Sequence, residues 1–325
     1  MNAASRLGCA FCFVGLACAG LAAAAQSGYP TRPIRIVVPY TPGGITDVTT
    51  RIVAQEVAKT FAQNVIVDNR PGANSILGVE LVSKATPDGY TLASVIAAHA
   101  ANQTLYPKLP YDSIRSFEPV SLLATAPLIL CVTNSLPAKS VPELVELAKQ
   151  KPGQLTFASS GIGAAAHLTT ELLMQVTGTK MVHIPYKGTA PALQDLIGGQ
   201  VTIMMDVPSS MLPHSRAGKI RALGMASEKR AASAPEVPTF IEQGVQLVGG
   251  TWVGILAPAK TPREVVSTLS QAMSGAVQRQ DVRERFVQLG IDPVGSSAPE
   301  FTQFLKTEVA KWAKVIRDAN VKVDM

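Results

Sequence analysis

The chain alternates short β-branched runs with longer segments in which apolar residues recur every three or four positions. "IRIVVPY" (34–40) reads as a strand, and from Asp47 to Phe61 the residues Val48, Ile52, Val53, Val57 and Phe61 fall on one helical face. "NVIVDN" (64–69) is a second strand, the segment around Gly78 to Ala85 is helical, and "YTLASVI" (90–96) is a third strand. That β-α-β-α-β order predicts a parallel sheet covered by helices. A second block begins with the long apolar stretch "EPVSLLATAPLILCVTNS" and a helix at Val141–Lys151. Strands "QLTFASS", "MVHIPY", "VTIMMD" and "KIRALGMAS" follow, with helices at Ala164–Val176 and Ala190–Ile197. "TWVGILAPA", a helix at Pro262–Gln280 and a closing helix at Pro299–Ala319 complete the chain. The pattern predicts an α/β architecture of two lobes, each a mostly parallel sheet flanked by helices. Residues 26–125 and 249–325 form one lobe and 126–248 the other. Both crossing segments are apolar and β-rich, which makes a two-segment hinge rather than a flexible tether.

Two strand-to-helix turns are nearly bare of side chains. Tyr40-Thr41-Pro42-Gly43-Gly44 is the first, and Ser159-Ser160-Gly161-Ile162-Gly163 is its counterpart in the second block. A helix start exposes free backbone N–H groups, and its dipole favours negative charge. Glycine lets a ligand approach the backbone closely, and Thr46 or Asp47 is placed to cap the first helix. Either turn alone also fits an ordinary βα connection. One bare start per lobe points to a cleft that grips a carboxylate-bearing molecule from both sides, at the carboxyl ends of the strands. Gly161-x-Gly163 does not continue as a dinucleotide fingerprint: Ala166 takes the third glycine's place, and no acidic residue follows at the required distance.

The N-terminus changes the picture of where the protein works. Arg6 precedes an uncharged stretch from Leu7 to Ala25 that ends in small residues. Residues 1–25 therefore read as a secretory signal peptide cleaved before Gln26, and the mature protein as periplasmic and not membrane-inserted. An uncleaved anchor is the competing reading, since the stretch is just long enough to span a bilayer; lipidation at Cys18 is another. Cys9, Cys12 and Cys18 lie in this segment, so the mature chain keeps only Cys131, a small core residue within "LILCV". The formal charge of +6 falls by one on cleavage, and the basic residues are scattered with only 5% aromatics, which argues against nucleic-acid binding. No histidine pair has metal-ligand spacing, so neither a metal nor a cofactor is expected. Ser159 or Ser160 could be drawn into a triad with a histidine and Asp206. G-x-S-x-G is absent, however, and the chain is not expected to be an enzyme.

"YPTRPIRIVVPYTPGGITDVTTR", "VDNRPGANSILG", "PDGYTL", "SSGIGAAAHL", "HIPYKGTAPALQDLIGGQV" and "EVPTFIEQG" occur in this order. Together they resemble the substrate-binding proteins of tripartite tricarboxylate transporters, the TctC-like or Bug receptors, from Tyr29 to the C-terminus. The resemblance implies a two-lobed periplasmic-binding-protein fold. It also implies a monomer that closes on a small organic acid and delivers it to a membrane permease; a sensor feeding a membrane partner would share the cleft. The implied ligand-binding positions are Thr41, Pro42, Gly43, Gly44 and Asp47 in the first loop, and Ser159, Ser160, Gly161, Gly163 and His167 in the second. Ala98 and His99 belong to a further cleft-lining loop at Ala97–Asn102, and Asp206 to an acidic position near the cleft mouth. His183 reads as packing between the lobes or supporting the second loop. Two residues depart from the family pattern: Ser75 stands where glycine is common, and Ala164 where a hydroxyl residue is common.

Overall fold

The computed structural model describes residues 28–323. The expected signal peptide, with Cys9, Cys12 and Cys18, lies outside the described residues. The first half runs β1 (Ile34–Val38), α1 (Ile45–Phe61), β2 (Val65–Asn69), α2 (Ile76–Ser83), β3 (Thr91–Val95), α3 (Ala97–Leu105), β4 (Phe117–Pro127) and β5 (Ile129–Thr133). Then come α4 (Val141–Gln150), β6 (Thr156–Ser159), α5 (Ala165–Thr177), β7 (Val182–Pro185), α6 (Thr189–Ile197), β8 (Ile203–Asp206), α7 (Pro208–Arg216) and β9 (Ile220–Met225). The chain closes with β10 (Gly250–Pro258), α8 (Arg263–Gln278), α9 (Gln280–Gln288), β11 (Asp292–Pro293) and α10 (Ala298–Asp318).

Two sheets result, in the orders β11-β4-β10-β3-β1-β2 and β7-β6-β8-β5-β9. The expected βαβ units appear as parallel pairs, β1 with β2 and β3, and β6 with β7 and β8. The sheets are nonetheless mixed rather than mostly parallel. β10 runs antiparallel to β3 and β4, β11 to β4, and β5 to β8 and β9. The reason is the double crossing. The chain leaves the first sheet along β4, enters the second along β5 after a single residue, and returns from β9 to β10. Outgoing and returning strands are neighbours, so they point in opposite directions. At the crossing Leu128 donates to Gly249 O, Ala226 to Leu128 O and Gly249 to Ala226 O, a hydrogen-bonded ribbon without slack.

Each sheet is buried on both faces, which is why β1 reads as an almost continuous apolar run. Ile34 and Ile36 face the core under α1 and α8 with Leu269 and Met273; Val37 faces the opposite core with Val79, Phe301 and Trp312. The second sheet packs α4 and α5 on one face around Phe157 and α6 and α7 on the other around Met204 and Met211. The two halves also touch outside the ribbon: Leu168 of α5 is buried in the α10-side core, and Gln175 Nε2 donates to Val315 O at 3.1 Å. None of the described helices is long and apolar enough to cross a membrane.

The sequence pattern missed α7 and α9. α7 starts on a proline and carries Pro213 inside, which obscures its period. α9 is split from α8 by Arg279 alone, whose extended backbone breaks one apparent helix into two. Ala97–Asn102, expected as a loop, is the body of α3, a nine-residue helix too short to establish a period in the sequence.

Candidate functional site

A cavity of about 580 Å³ lies between the two sheets. Five helices begin on it. Gly43–Ile45 open α1, Ile96 and Ala98 open α3, Ala164–Ala166 open α5, Thr189 opens α6, and Val207, Ser209 and Ser210 open α7. None of these five has a side-chain cap at its start. Of the other described helices, α4 is capped by Ser140 and α10 by a reciprocal Ser297–Glu300 box, while α2, α8 and α9 also start without a side-chain cap. Helix starts left without a side-chain cap around one cavity present N–H donors and positive dipole ends to whatever lies inside. Among the described residues no Lys, Arg or His lines the cavity. An anion there would be held by backbone amides and hydroxyls rather than by a guanidinium clamp.

The first loop is held from behind. Asp47, almost fully buried, accepts from Gly43 N at 3.0 Å, Arg51 Nε at 2.9 Å and Asn69 Nδ2 at 2.9 Å. Asn69 also donates to Tyr40 O at 3.0 Å. Asp47 therefore staples the turn to α1 and β2 and is not on the cavity wall. Gly44 is the N-cap, in extended backbone, and a Cβ built on it would meet only Thr41 O, at 3.9 Å. Thr41 and Pro42 sit on the exposed side of the turn and do not line the cavity.

The second loop rests on two imidazoles. His167 Nδ1 accepts from Gly163 N at 3.1 Å, which leaves its proton on Nε2, 3.5 Å from Glu171 Oε1. His183 Nε2 lies 2.7 Å from Ser159 Oγ, and the rings of His167 and His183 stack with centroids 3.7 Å apart. Burial, with the neighbouring His167, depresses His183 to about 3, so it stays neutral. Ser159 is fully buried, and its hydroxyl donates to Gly161 O at 3.0 Å and accepts from Gly161 N at 3.2 Å. Ser160 reaches the cavity; Ser159, Gly161, Gly163 and His167 stand behind it. Gly163 has φ +77°, and a Cβ there would stand 2.5 Å from Leu105 Cδ1 of α3, so it is bare because the two halves meet there.

His99 is also absent from the wall. It is completely buried, with Nε2 2.9 Å from Ser113 O and its ring stacked on Tyr111, and burial lowers it to about 4. Its neighbour Ala98 does line the cavity. Nor do serine, histidine and aspartate assemble as a triad: Asp206 is engaged by Thr189 Oγ1 and by its neighbour Val207 N, each at 2.7 Å, and by neither histidine.

Among the described residues Asp206 is the one acid on the wall, and burial raises its pKa despite those two bonds. Its ionised form therefore destabilises the fold. That penalty is absent below the unfolded value near 3.9 and sets in as pH rises above it. Asp206→Asn keeps the shape and removes the charge. Thermal melts should show it stabilised at pH 7 by ~1 kcal/mol, worth a few degrees, with the gain vanishing at pH 4; an unchanged midpoint at pH 7 would mean the charge is already compensated.

Several wall residues carried no signal of their own in the sequence. Thr251, whose hydroxyl has no partner among the described residues, comes from the crossing strand β10, and Leu289–Ile291 from the turn after α9. Strand "IMMD" followed by Val-Pro-Ser-Ser is a strand-to-helix start with proline at N1 and marks α7 in retrospect. Asn74 sits in a run of three left-handed residues, Ala73, Asn74 and Ser75, with φ of 45°, 49° and 75°. Asn102 pins this run by exchanging bonds of 2.9 Å with Asn74. A positive φ at Ser75 explains the glycine common there: only glycine adopts it without steric cost.

Residues 49–321 match the family described as tripartite tricarboxylate transporter family receptor. The chain is 38% identical to a UPF0065 protein from Pseudomonas sp. strain P51, over 89% of this chain and 86% of the relative. It is 36% identical to protein BugT of Bordetella pertussis, over 95% and 96%. Among solved structures, an R. palustris protein with adipate superposes with a TM-score of 0.79 at 34% identity, over 90% of this chain and 99% of that one. MatC from Rhodopseudomonas palustris with bound malate gives 0.75 at 33%, over 89% and 100%.

Proposed function

The chain belongs to the tripartite tricarboxylate transporter receptor family, and we propose that it captures a small organic carboxylate in the cavity between its two sheets. The observation that carries this reading is the ring of five helix starts without side-chain caps on a wall without cations. A carboxylate placed there completes the orphan N–H groups of several helices at once. The apolar wall of Ile45, Val48, Leu128 and Ile291 suits the carbon chain between polar ends. The relatives with adipate and with malate carry ligands of this kind.

The clamp has residues 26–125 and 249–325 as one half and 126–248 as the other, turning on the β4–β5 and β9–β10 crossings. A ligand that touches both loops only when the halves meet shifts the population towards the closed form. Moving that balance from 1:99 to 99:1 takes about 5.5 kcal/mol of preference. Charge-assisted bonds of roughly 1.5–3 kcal/mol each reach that total with a few contacts. After export by its signal peptide the receptor works in the periplasm, hands its cargo to a membrane permease, and performs no chemistry on it.

A thermal-shift screen tests the reading, with adipate, malate and other mono-, di- and tricarboxylates against neutral sugars and alcohols. A ligand present at 100 times its Kd adds about 2.7 kcal/mol, so at least one carboxylate should raise the midpoint by several degrees and no neutral solute should. Shifts from neutral solutes alone would overturn it. So would no shift at all from protein whose denatured extract holds no acid by mass spectrometry.

A further inference from the structure

A second cavity, of about 620 Å³, lies on the other face of the crossing strands. Neighbours in extended chain point to opposite sides: Leu128 and Ile291 line the first cavity, whereas Pro127 and Asp292 line this groove. Its accessible apolar surface is half-buried Phe304 and Val248, the latter 43% exposed, with Trp252 almost wholly buried behind Phe304, ring centroids 5.6 Å apart.

The polar groups of the groove fall into two kinds. Glu308 is satisfied: the indole N–H groups of Trp252 and Trp312 donate to one oxygen at 2.9 and 2.8 Å, and Lys311 pairs with the other. Arg230 is satisfied as well, by both oxygens of Glu242 at 3.0 Å and by Pro235 O at 2.9 Å. Glu228 and Lys229 are exposed to water. Asp292 differs. β11 holds it half-buried beside Thr125, and among the described residues no donor or cation reaches its carboxylate. Thr251, on the wall shared by the two cavities and 8% exposed, leaves its hydroxyl without a partner.

Desolvating a carboxylate without a counter-charge is unfavourable, and an incoming cation offsets the cost. Aromatic faces attract the same kind of group. We propose that this groove is a second binding site, for an organic ammonium ion whose charge meets Asp292 and whose body lies along Val248 and Phe304, over the buried Trp252. Asp292, Val248 and Phe304 do not line the first cavity, which shares only Thr251 with this groove, so the site stands or falls independently of carboxylate capture.

The chain has two tryptophans, and both donate to Glu308, so intrinsic fluorescence reports on this groove directly. Benzylammonium chloride titrated into the protein should give a saturable change in tryptophan emission. Benzyl alcohol, with the same body and no charge, should give none over the same range. Asp292→Asn should weaken benzylammonium at least tenfold. Val248→Lys, at a position open enough to accept lysine, should do the same by placing an ammonium in the groove. No saturable change in the parent protein overturns the proposal. So does an equal response to benzyl alcohol, or wild-type affinity in both variants with unaltered circular dichroism, which would also mark binding in the first cavity.

Discussion

Replacing Gly44 by valine is expected to lower carboxylate affinity at least tenfold while leaving the fold intact. The backbone at Gly44, φ −75° and ψ 169°, is one that any residue adopts. A Cβ there meets nothing closer than Thr41 O at 3.9 Å, so folding does not require a glycine. The same open space is the cavity itself, at the first N–H groups of α1. A branched side chain would stand where a carboxylate approaches those donors. Losing one or two charge-assisted bonds of roughly 1.5–3 kcal/mol each corresponds to about 10-fold to 100-fold per bond. Calorimetric titration with the acid that scores in the thermal screen measures the loss, and the unliganded melting midpoint should stay within about two degrees. Wild-type affinity would remove the α1 start from the contact set. Gly163 is no substitute for this test, because its positive φ and the adjacent Leu105 make any side chain a distortion.

Asp47→Ala should damage stability and binding together. The carboxylate organises the first loop through Gly43, Arg51 and Asn69, and alanine leaves the Gly43 N–H and the Asn69 amide without that acceptor. A loss of ~3 kcal/mol is the scale for a buried carboxylate with several partners. Affinity should fall as well, since the Gly43–Ile45 donors are no longer held in place. Burial by itself would raise the pKa of Asp47, but hydrogen bonds from Arg51, Gly43 and Asn69 and the Arg51 charge outweigh it, and the net value is lowered. A group lowered in the folded state contributes its stability above the unfolded value near 3.9 and loses it as pH falls through the folded value. The gap in melting midpoint between the parent and Asp47→Ala should be full at pH 7 and shrink below about pH 4. A gap that does not change with pH would mean that the carboxylate's charge contributes nothing. Asp206 behaves in the opposite sense, because it is buried on the wall without a cation.

The difference between these two aspartates shows how far the sequence could be read. Asp47 lies in the first turn of a helix and Asp206 at the end of a strand, and both are implied as ligand positions by the family resemblance. Only packing separates them. Asn69, 22 residues away, and Arg51 turn Asp47 into a staple, while Thr189, 17 residues away, leaves Asp206 facing the cavity. Histidine was harder still: His99 and His167 sit next to wall residues in the chain, yet a helix sends neighbouring side chains about 100° apart, and both went into the interior.

Taken alone, the sequence determined the two-block α/β alternation and the bare helix starts near Gly44 and Ser160. These features are local: apolar period, glycine and proline act within a few residues of themselves. Tertiary structure alone decided that five helix starts share one cavity, that the crossing strands pair antiparallel, and that Thr251, Asn74 and the turn at Leu289–Ile291 join the wall. Those outcomes depend on which distant strands become neighbours. Long-range pairing and burial set that, and neither is written in the spacing of residues along the chain.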